Sequence, residues 1–142
     1  MKTTTYLFLA FTLFFATNCT PDLEREIAEI DKELMTGHDE VMPKSMKLGD
    51  LRDDVLAKAA EGDSSAKTIA VKIANDLQAA EDGMYKWMDD YSVAMNDEQD
   101  QAKKLEKYKS LKVEVAKIST DTDNAMKAAK DFIGENATKT EE

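Results

Sequence analysis

One histidine, one cysteine and eight methionines carry most of the unusual chemistry in this sequence. His38 and Met42 stand four residues apart, as do Met84 and Met88, and on a helix that spacing puts each pair on one face. Imidazole and thioether are soft donors, and together they suit Cu(I). The same ligand types serve haem iron, but thin helices leave little room for a porphyrin and no covalent attachment motif is present. Packing is the competing explanation, because Met fills irregular gaps and favours aromatic rings. The carboxylates come as adjacent pairs, such as Asp39 with Glu40 and Asp89 with Asp90. Neighbours on a helix diverge by about 100° and make no catalytic dyad. A single His and a single Cys leave no partner for a nucleophile, and no glycine-rich phosphate loop appears. The expectation is a protein without catalysis.

Cys19 calls for a different chemistry. It follows Lys2 and an apolar run from Tyr6 to Ala16, well short of the roughly 20 residues a membrane span needs. Charge, apolar stretch and processing site in that order read as an export signal over 1–18. A lone thiol at its end points to a lipoprotein, cut before Cys19 and acylated there. Thr20, rather than Asp, follows the cysteine, which favours the outer membrane. Residues 19–21 are then the lipidated start of the mature chain, held to the membrane by its anchor.

All 29 acidic side chains fall after this segment, and the chain carries a net charge of −10. That acidic balance argues against binding nucleic acid, which would require neutralising phosphates, so no nucleic-acid partner is expected. With no second cysteine there is no internal disulfide, and packing must supply the stability.

The packing pattern is helical throughout. Apolar residues recur at steps of three and four through Leu23, Ile27, Ile30, Leu34, Val41, Leu48 and Val55. They do so again through Ile69, Ile73, Leu77, Met84, Trp87, Tyr91 and Met95, and through Leu105, Tyr108, Leu111, Val115, Ile118 and Phe132. No stretch alternates with period two. The predicted helices cover about 22–61, 64–95 and 97–134, each roughly 50–60 Å long at 1.5 Å per residue. Gly62 and Asp63 mark the first turn, and Asn96 with Gln99 reads as a capping box for the last helix. Gly134 ends that helix, leaving 135–142 as a flexible polar tail. Short loops between long helices predict an all-α, antiparallel, up-down-up three-helix bundle. Pro43 lacks the amide that would bond the Asp39 carbonyl, so the first helix should kink there.

Folding the first two helices about Asp63 sets His38 level with Met88, Met42 with Met84, and Pro43 with Gly83. Folding the third back brings Tyr108 to the same height. His38, Met42, Met84, Trp87, Met88 and Tyr108 should therefore share one layer, lined by the two rings. It serves either as packing or as a Cu(I) site formed by His38, Met42, Met84 and Met88.

The run His38-Asp39-Glu40-Val41-Met42-Pro43-Lys44-Ser45-Met46, with Met84-Tyr85-Lys86-Trp87-Met88-Asp89-Asp90-Tyr91 further on, resembles a group of small helical lipoproteins of Bacteroidota-type bacteria. Some of these carry the label "viral A-type inclusion protein". The resemblance implies a short helical bundle behind a lipoprotein signal, and implies that the two motifs belong together. It brings no catalytic role. The expected function is a lipid-anchored structural or protein-interaction module of the cell envelope, working through a protein partner or self-association. A soft-metal or small-ligand binding module is the alternative.

Overall fold

The computed structural model describes residues 20–138. The proposed signal at 1–18, Cys19 and the last four residues lie outside the described part. Among the described residues every regular element is helical: α1 (Thr20–Ser45), α2 (Leu48–Ala60), α3 (Ser64–Asn96) and α4 (Gln101–Thr138). They make three rods, of which the first is bent into α1 and α2.

The caps follow from local chemistry. Asp63 Oδ1 accepts the Ala66 amide at 2.9 Å and starts α3 where the sequence placed a turn. The other cap differs from expectation. Asn96 closes α3 instead of opening α4, and its Nδ2 donates to the Ser92 carbonyl. Asp100 takes the capping role, its Oδ1 accepting the Ala102 and Lys103 amides at 3.0 and 3.2 Å. Asp100 directly precedes the first turn of α4 at Gln101, so its side chain, rather than that of Asn96, reaches the free amides. At the other end, α4 runs on through Gly134 to Thr138, so Gly134 does not end it and the start of the expected tail is helical.

Pro43 sits inside α1, and the first rod is interrupted shortly after it rather than merely curved. The Met46 amide still bonds the Met42 carbonyl at 3.1 Å, but the Lys47 amide tightens onto the Lys44 carbonyl at 3.0 Å, the shortened turn that closes many helices. The consequence is an exchange of partners. The α1 backbone lies chiefly against α4 and meets α3 through side chains such as those of Asp31 and His38, whereas α2 packs chiefly on α3.

Cross-helix pairs fix the levels. Asp31 meets Tyr91, His38 meets Trp87 and Arg52 meets Gln78, so numbers rising along the first rod fall along α3. Between the first rod and α4 they rise together, as Glu26 with Lys109, Glu33 with Lys112 and Lys44 with Asp123.

The core falls into two clusters. One contains Leu34, Val41, Met84, Trp87, Leu111 and Val115, and the other Leu48, Val55, Leu77, Ala80, Ala129 and Phe132. Each fully buried large side chain is worth roughly 1.5–3 kcal/mol relative to exposure. Ser45 on the first rod and Thr122 on α4 fall in sequence between the two clusters, and both are buried with hydroxyls that lack a partner.

Two residues of the predicted stripe are turned outward: Ile69 is 51 % exposed and Met95 44 %. Ala70 and Ala74 are buried near the first turn instead. Short side chains there let α2 and α3 approach closely, and the line of closest approach decides which residues are covered.

Candidate functional site

The helices bring only part of the expected layer to one height: Tyr108 stands level with Tyr91, near the Glu26–Lys109 pair, roughly two turns from the level of Met42 and Met84. Met84, Trp87 and Tyr108 are buried in the first cluster, and Met42 and Met88 pack against it half-buried. His38 lies at its margin, its side chain 29 % exposed, with its ring 6.3 Å from the Trp87 ring at an interplanar angle of 28°. His38 thus meets α3 at Trp87, the neighbour of the expected Met88. The expected meeting of Pro43 with Gly83 is replaced. Gly83 faces Ile118 of α4, where an added Cβ would find ordinary contact at 3.7 Å. The tight approach occurs at Gly37, where a Cβ would stand 2.8 Å from Val115 Cγ1. Levels along a rod follow from the loop position. The side of the helix that meets a neighbour does not, and α1 has turned to α4.

Trp87 is held by more than burial. Its Nε1–H donates to the Leu111 carbonyl at 2.8 Å, which removes the cost of hiding the indole N–H. Tyr91 stacks on Trp87 with centroids 5.5 Å apart and planes 7° from parallel. Tyr108 follows at 5.8 Å from Tyr91, tilted by 30°. The layer is therefore a column of rings, His38, Trp87, Tyr91 and Tyr108, in a packed region shared with thioethers.

Asp31 ends this column. The Tyr91 hydroxyl donates to Asp31 Oδ1 at 2.7 Å. Burial raises the Tyr91 pKa well above the ordinary phenol value, and the Asp31 carboxylate raises it further. The Tyr108 phenol moves the same way for the same two reasons, burial first. The predicted layer omitted Asp31, Tyr91 and Met35, all of which belong to it or pack against it. A signal for Asp31 was present: it falls four residues after Ile27 and three before Leu34, on the buried stripe.

His38 Nδ1 lies 3.0 Å from Asp39 Oδ1. A carboxylate only accepts, so this bond places the proton on Nδ1 and leaves the neutral ring's lone pair on Nε2. A carboxylate holding the Nδ1 proton in this way fixes the orientation of a ring whose other nitrogen can act as a ligand. No group of three or more His, Cys, Asp or Glu suited to a metal ion occurs among the described residues, so any site here would depend on thioethers. Members of two adjacent acidic pairs take part in surface ion pairs, Asp90 with Lys86 and Glu40 with Lys44. No helix among the described residues is long and apolar enough to cross a membrane. No protein-family model matches this chain, and neither a curated protein nor a solved structure matches it.

Proposed function

We propose that this protein is a lipid-anchored, non-catalytic helical module of the cell envelope, tethered through Cys19 to the outer membrane and serving a structural or protein-interaction role. Its rods run up, down and up, a reading supported by the opposing order of pairs along α1 and α3 and the shared order along α1 and α4. One observation carries the reading. The Trp87 indole and the Tyr91 and Tyr108 phenols are packed into a ring column with His38 at its margin, while ion pairs line the outside of the helices. The test is mass spectrometry of membrane fractions from expressing cells. A mature amino terminus at Cys19 carrying acyl mass, in the outer-membrane fraction, is the expected result. An unacylated chain in the soluble fraction overturns it.

A second reading rests on the His38–Asp39 bond, which leaves Nε2 available on a ring that lies against Trp87, in the cluster that Met84, Met42 and Met88 also join. Here His38, Met42, Met84 and Met88 hold Cu(I). Copper titration of the protein beside His38→Ala and Met88→Leu decides it. Tight binding lost in both variants supports the site, and absent or unchanged binding removes it.

A further inference from the structure

The geometry points to a redox activity at Tyr91: we propose that this residue, coupled to Trp87 and to Asp31, is a sink for one-electron oxidants of the radical class. The inference rests on neither the lipid anchor nor the copper reading. Three observations meet at this residue. Its ring lies nearly parallel to Trp87 at 5.5 Å, close enough for an electron to pass between them. Its hydroxyl hydrogen faces a carboxylate oxygen at 2.7 Å, within the distance at which a base takes a proton during reaction. Met84 lies in the buried cluster with Trp87, and Tyr91, Met35, Met42 and Met88 all pack against that cluster, so easily oxidised thioethers share the same packed region.

The two rings differ in what happens to their protons. The Trp87 N–H donates to the Leu111 carbonyl, which accepts a hydrogen bond but takes no proton. An electron lost from Trp87 therefore leaves an indole radical cation, which refills from the neighbouring phenol. When Tyr91 gives up the electron its O–H bond breaks, and the proton crosses to Asp31 Oδ1. The products are a neutral phenoxyl radical, a neutral Asp31 carboxylic acid and an oxidant reduced by one electron. The protein loses an electron and keeps the proton. Proton transfer to the adjacent base makes Tyr91 the resting place of the oxidising equivalent. The thioethers are thereby spared, since conversion to the sulfoxide removes two electrons and adds an oxygen atom.

The test uses the full chain and photogenerated ruthenium(III) tris(bipyridine) as the one-electron oxidant. Freeze-quench electron paramagnetic resonance should show a neutral tyrosyl radical. Tyr91→Phe should lose most of that signal and gain sulfoxide at Met84 and Met88, read by peptide mass spectrometry. Asp31→Asn keeps every ring but removes the base, and should lower the tyrosyl yield at neutral pH. Tyr85→Phe, at an exposed phenol, should leave the signal in place. A tyrosyl signal that survives Tyr91→Phe, or disappears with Tyr85→Phe, overturns the proposal. So does an unchanged yield in Asp31→Asn, which decides the matter alone if Tyr91→Phe loses its helical circular dichroism.

Discussion

The Tyr91 phenol is kept protonated by burial first and by Asp31 second. The folded chain thus binds this proton more tightly than the unfolded chain. That contribution to stability is whole below the ordinary phenol pKa of about 10 and drains away as pH rises toward the higher folded value. Lys44, whose pKa is raised chiefly by its hydrogen bond to Asp123, slopes the same way, so the parent alone does not separate the two. We expect urea unfolding measured from pH 9 upward to show stability falling from about pH 10, with a shallower fall in Tyr91→Phe. Equal slopes in parent and variant would contradict this account. Thr122 gives a second prediction at this scale. Its hydroxyl is buried without a partner, and removing such a group costs nothing that the fold was using. Thr122→Val should raise stability by about 1 kcal/mol in the same assay. A loss would mean that the hydroxyl is satisfied in solution.

Among the elements, the bent first rod has the largest consequence. Pro43 was legible as a disturbance because the missing amide and the ring act locally, whatever the surroundings. Local chemistry did not indicate that the interruption would hand the first rod from α4 to α3. That outcome depends on which face each neighbour offers. Gly37 belongs to this change, because α1 comes close enough to α4 that a Cβ would press on the stiff, β-branched Val115. Gly134 meets nothing within 4 Å. The two glycines should therefore respond oppositely to alanine. Gly134→Ala gains up to about 1 kcal/mol from helix propensity. Gly37→Ala loses roughly 1–3 kcal/mol because overpacking between two helices outweighs the same gain. Thermal melts of both variants check the pair, and stabilisation by Gly37→Ala would show that the helices can separate at little cost.

The described residues form two apolar clusters, and α3 and α4 run through both, so the two should unfold together. Leu77 is fully buried in one cluster and Leu34 in the other. Either Leu→Ala change should cost about 3 kcal/mol and shift one common calorimetric transition. Two separate transitions would show that the bend divides the rod energetically. The ion pairs joining α1 to α4, Glu26 with Lys109 and Glu33 with Lys112, are largely exposed. Such pairs contribute little singly, so the packed stripes carry this contact.

The amino-acid sequence by itself determined the helical class, the turn at Asp63, the disturbance at Pro43 and the approximate level at which the first rod meets Trp87 on α3. These follow from periodicity, capping and chain length, all of which act within a few turns of helix. The tertiary structure alone decided that α1 faces α4, that Gly37 rather than Gly83 is the point of closest approach, that Ile69 and Met95 turn outward, and that Asp31 closes the ring column on Tyr91. Each of these is a rotation about a helix axis. Rotation is set by how neighbouring surfaces interlock, which no single stretch of chain encodes.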